Sequence, residues 1–499
     1  MGQLAAHRLG REFLDFDDYI ERRWGRPVPG YFFRGEERLF RQREAETCRV
    51  VAARDDLVAA PGGGALLNPR NRAALEGTGT LVGLSASLET LAARLEGSYS
   101  RPLLASDLRS RLAALLQERP GLYRSLPVSV DTEALPAGAA AEAVVARFRA
   151  EGGRVRFDMG SSVAMMGRSL LARLPEWLAA KDLHAPYVVI SDSNVAACQG
   201  AKVCQALDGW REPLQFPAGE AHKTLDTISD LYSACVPRGL DRHGTVMALG
   251  GGVVGDMAGF VAATYMRGVR WVSLPTTVLA MADASLGGKV GCDLPEGKNL
   301  VGAFHPPALV VADFDTLDTL PETEVRNGMA EVIKSALIGD GDLFARLSRG
   351  SVALEVAVAR AAAVKVGFVN ADLYERAERT ALNLGHTIGH GIEAASGYAW
   401  PHGEAVGVGM VAAAWLAQAL GLAAAGLLEA VSACLKRAGL PTRCAGLSPT
   451  AIRAAMASDK KKAGGQLKFV LPRAVGDVTW GVTVEESMLA EALHWLTAE

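Results

Sequence analysis

Residues 248–268 read ALGGGVVGDMAGFVAATYMRG, in which a strand-like end, a glycine turn and an apolar helical pattern follow one another. The glycines at 250, 252 and 255 fit G-x-G-x-x-G, a turn that lets backbone amides and a helix N-terminus approach a pyrophosphate. The acidic residue usually found about 20 positions later is missing, because residues 270–275 read RWVSLP. The segment therefore indicates either a nucleotide site outside the ordinary Rossmann pattern or a tight strand–helix packing turn.

The regions around this segment differ in their hydrophobic pattern. From about 153 to 322, apolar runs alternate with helical patterns, which is typical of a parallel sheet with crossover helices. Residues 1–152 alternate short helical and strand-like segments and end at Gly152 and Gly153. After Pro321, helical periodicity dominates as far as KFVLP at 468–472. We therefore predict an α/β protein with three domains, 1–152, 153–322 and a mostly helical 323–499.

Composition excludes several classes of function. With 499 residues, 49% of them hydrophobic, the chain can form several packed domains and is not a disordered protein. The 52 Lys+Arg and 55 Asp+Glu give a net charge of -3, without the basic excess of a nucleic-acid-binding surface. The seven cysteines contain no C-x-x-C, and no signal-peptide core is present near Met1, so we expect a cytoplasmic protein.

One apolar stretch, residues 405–428, is long enough to span a bilayer. It consists largely of Ala and Gly, and no Lys or Arg brackets it. We predict a buried helix here and no membrane association.

Three histidines and one glutamate are candidates for a metal site. His386 and His390 are spaced i, i+4 on one predicted helical face, and His402 follows a turn-like segment. Glu331 lies in an otherwise apolar helical pattern, where an unpaired charge would be costly. The spacing alone does not decide which two histidines coordinate, and hydrogen-bonded histidines of a single helix remain the alternative.

Cationic and amide side chains next to glycine turns or apolar helices suggest an anionic ligand such as phosphate or carboxylate, although each could also be a solvated surface charge. These residues are Arg267, Lys289, Lys298, Asn299, Lys334, Arg379 and the run 459–462, which reads DKKK.

From about 155 to 499 the chain resembles 3-dehydroquinate synthase. The matching segments are GEAHKT (219–224), the glycine segment 248–268, LPTTVLAMADASLGGKVGCDLPEGKNLVGAFH (274–305), NGMAEVIK (327–334), LNLGHTIGHGIE (382–393), HGEAVGVGM (402–410) and DKK (459–461). The resemblance implies one active site that uses NAD and Zn(II), with Co(II) as a possible substitute. It assigns Glu331, His386 and His402 to the metal, so His390 would face the substrate.

The resemblance also assigns the other site residues. The positions that match NAD contacts are Asp192, Asn194, Glu220, Lys223, Gly251, Gly252, Asp256, Thr276 and Thr277. The positions that match the substrate pocket are Arg267, Asp283, Lys289, Lys298, Asn299, Lys334, Arg379, Asn383, His390 and Lys460 or Lys461.

The reaction of this family converts 3-deoxy-arabino-heptulosonate 7-phosphate to 3-dehydroquinate and phosphate. The resemblance implies that the metal polarises the C5 hydroxyl and that NAD takes up and returns a hydride around phosphate elimination and an intramolecular aldol closure. It also suggests a homodimer. The alternatives are a related cyclase of the same fold that acts on another sugar phosphate, and a binding protein without activity.

Residues 1–152 resemble shikimate kinase without its beginning. Asp15 and Asp17 in FLDFDD, the Gly62–Gly64 turn and Arg101 in RPLL follow that family's order. The implied shikimate pocket consists of Asp17, Arg41, Gly63, Gly64 and Arg119, with Arg101 in a lid. No G-x-x-x-x-G-K-[ST] phosphate loop is present. We therefore expect either a misplaced start, with ATP and Mg(II) used only if a loop lies upstream, or a remnant that binds without catalysis.

Overall fold

The computed structural model describes residues 1–54, 57–95, 109–110, 112–114, 128–150, 155–207, 211–460 and 467–498. These residues form two compact units, Met1–Arg156 and Phe157–Glu499, called the N-terminal and C-terminal units below.

The part of the N-terminal unit that the structure describes contains two pairs of parallel strands. β1 (Glu12–Asp15) pairs with β2 (Leu57–Ala60), and β3 (Val82–Ser85) pairs with β4 (Val128–Asp131). The helices among its described residues are α1 (Gly2–Leu9), α2 (Phe16–Trp24), α3 (Val28–Phe33), α4 (Glu37–Ala52), α5 (Pro69–Thr78), α6 (Leu88–Leu95) and α7 (Ala137–Ala150).

The C-terminal unit is built on a seven-stranded sheet with the order β5-β6-β13-β10-β9-β7-β8, in which the pairings from β6 to β8 are parallel. The sheet strands are β5 (Val155–Met159), β6 (Ser162–Gly167), β7 (Tyr187–Asp192), β8 (Leu214–Phe216), β9 (Thr245–Gly250), β10 (Arg270–Pro275) and β13 (Leu309–Asp313). An antiparallel hairpin, β11 (Lys289–Leu294) and β12 (Gly297–Phe304), lies outside this sheet.

Helices connect the sheet strands and then dominate the chain after Pro321. The connecting helices are α8 (Leu174–Ala180), α9 (Ser193–Val195), α10 (Ala201–Gln205), α11 (Leu225–Cys235) and α12 (Gly252–Thr264). The later helices are α13 (Glu322–Gly339), α14 (Gly341–Arg349), α15 (Leu354–Ala371), α16 (His386–Ala395), α17 (His402–Ala419), α18 (Leu427–Arg437), α19 (Pro449–Lys460) and α20 (Glu486–Thr497), with a hairpin of β14 (Phe469–Ala474) and β15 (Asp477–Val482) before α20. The predicted α/β class with a mostly helical region after the sheet is confirmed.

The sheet is buried on both faces because its strands alternate apolar residues toward two cores. In β9, Val246 and Ala248 pack with α12 in one cluster, whereas Met247 and Leu249 belong to the other. The predicted order of strand, glycine turn and helix is also present, since α12 begins at Gly252 directly after β9.

The apolar stretch 405–428 begins in α17, whose residues from Ala405 to Ala414 are buried. Among the helices of the described residues, none has both the length and the apolar character needed to cross a membrane.

Close backbone contact between α17 and the start of α16 depends on glycine. A Cβ atom at Gly409 of α17 would overlap the backbone of Gly385, which precedes His386 and has a left-handed φ of 80°. Gly403 at the start of α17 is similarly close to the backbone of Asn327 in α13. These contacts bring the helices that carry His386, His402 and Glu331 together.

We predict that Gly409→Ala destabilises the protein by about 1–3 kcal/mol, because the added methyl group overpacks a backbone contact. The matched control is Gly367→Ala in α15, where a Cβ atom would meet nothing within 4 Å. The control should stabilise the protein by about 0.5–1 kcal/mol, since alanine is the better helix former. Urea unfolding of both variants measures the two changes, and equal stability of the two variants would contradict this packing account.

Candidate active site

Residues with predicted cofactor contacts follow three adjacent parallel strands, so they share one edge of the sheet. Asp192 ends β7 and Asn194 follows it, Gly251 and Gly252 follow β9, and Thr276 with Thr277 follows β10. The Asp192 carboxylate accepts hydrogen bonds from the backbone N–H groups of Asn194 and Val195 at 2.9 Å. A Cβ atom at Gly251 would lie 3.1 Å from Thr277 Cγ2, so the glycine leaves room above the N-terminus of α12.

Lys223 joins this edge to the β11–β12 hairpin. Its ammonium is buried and donates to Asp256 Oδ2 at 2.7 Å and to Asn299 Oδ1 at 2.6 Å. Burial alone would lower the pKa of Lys223, but Asp256 and Glu220 outweigh it and raise that pKa. The lysine is therefore charged, and it fixes the amide of Asn299.

A single cavity of about 1220 Å³ connects the strand edge with the helical region. Sixteen of the predicted site residues line it: Asp192, Asn194, Glu220, Lys223, Gly251, Gly252, Asp256, Thr276, Thr277, Asp283, Lys298, Asn299, Glu331, His386, His390 and His402.

Glu331, His386 and His402 converge at one end of this cavity. Glu331 Oε1 lies 3.4 Å from His386 Nε2 and 3.3 Å from His402 Nε2. Two ligand atoms on a tetrahedral zinc ion, at bond lengths of about 2.0–2.2 Å, are separated by roughly 3.3 Å. Two imidazoles and one carboxylate also form a donor set known from catalytic zinc sites. The three residues therefore fit a divalent metal.

The hydrogen bonds on the far side of each imidazole leave Nε2 available. His386 Nδ1 contacts the backbone oxygen of Leu384 at 3.2 Å, and His402 Nδ1 contacts Glu393 Oε1 at 2.7 Å. Because a carbonyl or carboxylate oxygen only accepts, each Nδ1 carries the proton and donates it. Both Nε2 atoms then face Glu331, which is the orientation that a metal ligand requires.

The charges around Glu331 keep it ionised. Burial would raise the pKa of this carboxyl group, but the ammonium of Lys334 and the two imidazoles lower that pKa to about 2. Burial and the nearby Lys334 hold the pKa of His386 well below its ordinary value, so this imidazole is neutral. Burial opposes a charge on His402 as well, yet Glu331 and Glu393 raise its pKa to about 9. A proton on His402 thus balances part of the negative charge of two carboxylates, a balance that a metal cation would also provide.

Glu331, His386 and His402 are called the metal-type group below. Next to this group, Asp283 lies between two buried lysines. Its carboxylate accepts from Lys334 Nζ at 3.1 Å and from Lys365 Nζ at 2.6 Å, and Lys334 also pairs with Glu331. Lys365 was missed by the sequence analysis. Its signal resembled that of Glu331, a charge within an apolar stretch of helix, because residues 361–369 contain no other charged residue.

A second polar cluster contains Lys289, Asn383 and Glu375. Lys289 pairs with Glu375, and the Asn383 amide donates to Glu375 Oε1 at 2.6 Å. Arg379 is buried and donates to the backbone oxygens of Gly287 and Leu373. Glu375 was also missed, because the printed sequence around it, DLYERAER, reads as an exposed charged turn.

Some predicted substrate residues do not line the cavity: Arg267, Lys289, Lys334, Arg379 and Asn383. Lys334 reaches it through Glu331 and Asp283, whereas Arg267 is exposed on a short turn with a φ of 67°. Lys461 lies outside the described residues, as does the side chain of Lys460 at the end of α19.

In the N-terminal unit, the predicted pocket residues Asp17, Arg41, Gly63 and Gly64 surround the turn after β2. Arg41 Nη1 donates to the buried Glu44 at 2.9 Å and lies against Gly64, where a Cβ atom would overlap the guanidinium. A Cβ atom at Gly62 would lie 3.8 Å from Asp17 Oδ1. Arg101 and Arg119 lie outside the described residues.

Family models match three parts of the chain. The model for the 3-dehydroquinate synthase N-terminal region matches residues 213–327, and the model for its C-terminal region matches 328–462. The shikimate kinase model matches residues 1–149.

Similar proteins agree with the two synthase models. A 3-dehydroquinate synthase of Symbiobacterium thermophilum is 43% identical over 346 residues, which is 67% of this chain and 94% of the relative. Another, of Xanthomonas campestris pv. campestris, is 48% identical over 326 residues, which is 61% of this chain and 88% of the relative.

Two solved structures share the fold. A 2-deoxy-scyllo-inosose synthase complexed with carbaglucose-6-phosphate, NAD⁺ and Co²⁺ has 28% identity and a TM-score of 0.62, over 68% of this chain and 99% of the other. A 2-epi-5-epi-valiolone synthase of Streptomyces hygroscopicus subsp. jinggangensis, with NAD⁺ and Zn²⁺ bound, has 30% identity and a TM-score of 0.61, over 67% and 96%. With relatives of 40% and 43% identity that align over nearly their whole length, the chain belongs to the 3-dehydroquinate synthase family.

Proposed function

We propose that the C-terminal unit converts 3-deoxy-arabino-heptulosonate 7-phosphate to 3-dehydroquinate and phosphate. The observation that carries this proposal is the single cavity, which joins the glycine turn after β9 to the Glu331, His386 and His402 group. A reaction that needs a nicotinamide and a metal at one carbon requires both sites in one space. The identity of 40–48% to proteins named 3-dehydroquinate synthase supports this reaction.

The residues of the cavity fit both cofactors. The open backbone at Gly251 and Gly252 and the N-terminus of α12 suit a pyrophosphate, and Glu331, His386 and His402 suit Zn(II) or Co(II). When bound, NAD would take up and return a hydride and the metal would polarise a substrate hydroxyl.

The side chains of this unit have separate tasks in the proposal. Lys298, which lines the cavity, is assigned to the phosphate and carboxylate groups of the substrate, because lysine and arginine bind such anions by charge-assisted hydrogen bonds. Lys289 and Arg379, which lie outside the cavity lining, have the same assignment from the family resemblance alone. Asn299, Asn383, Asp283 and Lys334 orient it, together with Lys460 or Lys461. His390 lines the cavity but does not belong to the group of Glu331, His386 and His402. We therefore assign its imidazole to proton transfer with the substrate.

A cyclase for another sugar phosphate is the rival function, since the two solved neighbours have other products. Their identities of 28% and 30% are lower than the 40–48% of the proteins named 3-dehydroquinate synthase. The shikimate kinase match at residues 1–149 also favours the shikimate pathway.

We further propose a cytoplasmic homodimer. All seven cysteines are free, which suits a reducing compartment. Arg267 matches a substrate-pocket position yet is exposed away from the cavity lining of its own chain, and a second copy would give this side chain a site to enter.

For the N-terminal unit we propose shikimate binding. The observation that favours it is the cluster of Asp17, Arg41 and Gly64, with Arg41 held by the buried Glu44. A fixed guanidinium beside an open glycine turn suits the carboxylate of a small hydroxylated acid.

The proposed synthase reaction predicts that phosphate is released without accumulation of reduced NAD, because the hydride leaves and returns within one turnover. Absorbance of the reduced cofactor, followed beside phosphate release, tests this expectation. Exhaustive chelation should abolish turnover, and Zn(II) or Co(II) should restore it. Stoichiometric accumulation of reduced cofactor, or full activity after chelation, would refute the assignment.

The 499-residue polypeptide should bind shikimate without phosphorylating it, since it contains no G-x-x-x-x-G-K-[ST] segment to hold the γ-phosphate and Mg(II). Calorimetry with shikimate and a coupled ATP assay measure the two properties. Arg41→Met should abolish the binding, whereas Arg22→Met on the exposed side of α2 should not. Formation of shikimate 3-phosphate at a typical kinase rate would show that the prediction is wrong.

A further inference from the structure

Glu393 is a buried carboxylate in the last turn of α16 to which the proposed function gives no task. Only 2% of the residue is exposed, although it lines the cavity. An ionised carboxylate in such a place is costly unless it is paired and hydrogen-bonded. Its partners therefore indicate what it does.

One oxygen of Glu393 is committed to His402. Oε1 lies 2.7 Å from His402 Nδ1, on the side of the ring opposite the Nε2 atom that faces Glu331. The imidazole thus lies between two carboxylates, one on each nitrogen. Because α16 also carries His386, one helix supplies both an imidazole of the metal-type group and the acceptor that orients the other imidazole.

The second oxygen of Glu393 faces the cofactor end of the cavity. Oε2 lies 3.8 Å from Lys298 Nζ, and the same ammonium lies 3.8 Å from Glu220. Lys298 also lies over the ring of Tyr398 at 4.8 Å. The contacts with His402 and Lys298 together orient the Glu393 carboxylate, with Oε1 toward His402 and Oε2 toward Lys298.

We propose that Glu393 is a positioning residue for His402: it accepts the Nδ1 proton, holds the ring so that Nε2 faces the metal, and strengthens that nitrogen as a ligand. The inference rests on the metal ligands of the proposed function. Outer partners of this kind fix the tautomer and orientation of a ligating imidazole and raise its basicity.

A different arrangement, in which His390, Glu393 and His402 hold the metal themselves, is the alternative, since their ligand atoms also lie within 4.8 Å of one another. The distance between Glu393 Oε1 and His402 Nδ1 argues against it. At 2.7 Å, the two atoms are closer than the roughly 3.3 Å that a tetrahedral ion between them requires. The 3.3 and 3.4 Å distances around Glu331 match that requirement.

The test is the affinity of the metal-free protein for Zn²⁺, measured by competition with a chromophoric chelator. Glu393→Gln should weaken binding by about 10–100-fold, because the neutral amide is a poorer acceptor for Nδ1–H. Glu404→Gln makes the same chemical change on α17, two residues from His402. The side-chain hydrogen-bond partners of His402 are Glu393 and Glu331, so Glu404 is not one of them. This control should keep the wild-type affinity.

The outcomes separate this inference from the metal set on which it rests. Wild-type affinity in Glu393→Gln, together with loss of binding in Glu331→Gln, would overturn the positioning role of Glu393 and leave the metal ligands unchanged. Loss of binding in His390→Ala with binding retained in Glu331→Gln would instead overturn the metal set.

A measurement on the unaltered protein keeps the test independent of the folding of any variant. Long-range ¹H–¹⁵N spectra of histidine-labelled, Zn²⁺-loaded protein should show His402 protonated on Nδ1 and bound to the metal through Nε2. Metal on the Nδ1 atom of His402 would overturn the inference.

Discussion

The carboxylate of Glu331, 2% exposed in the middle of α13, is the constraint on which the helical region depends. An isolated charge at that depth would be strongly destabilising. Lys334 on the same helix compensates it, and His386 and His402 approach its other oxygen from α16 and α17. Lys334 in turn shares Asp283 with Lys365, so a chain of alternating buried charges extends from α13 to α15. The two imidazoles that help to make Glu331 tolerable are also the side chains that, together with it, fit a divalent cation.

Close backbone packing between the helices fixes the positions of these charged side chains relative to one another. Gly385 and Gly409 allow α16 and α17 to touch, and the Asn327 side chain accepts from the backbone N–H of Gly403 at the start of α17. Asn327 lies one helical turn before Glu331, so α13 positions the metal-type group both by its carboxylate and by this cap. The opposite wall of the cavity is rigid for another reason, since three parallel strands buried on both faces present their carboxyl ends there.

Much of this arrangement could be predicted from residues near one another in the sequence. The Gly250–Gly252 turn between an apolar run and a helical pattern indicates the strand, turn and helix that the structure contains. Glu331 was identifiable as a charge in an apolar helix. The choice of His386 and His402 over the i, i+4 pair came from the family resemblance, because spacing cannot show which imidazole faces a carboxylate on another helix.

Other site residues depend on contacts between distant segments, and the sequence carries little sign of them. Lys365 meets Asp283 and Glu375 meets Lys289 across more than eighty positions. Glu393 reads as an ordinary polar residue of α16 until His402 is placed beside it. The resemblance likewise could not show that Arg267 lies outside the cavity lining of its own chain.

The central claim is that one metal ion binds between Glu331, His386 and His402. An anomalous difference map from a crystal of the full chain loaded with Co(II) tests it most directly. The account predicts a single strong peak within bonding distance of Glu331 and of the Nε2 atoms of both imidazoles. A peak between His390 and Glu393, with no peak within bonding distance of Glu331, would contradict it.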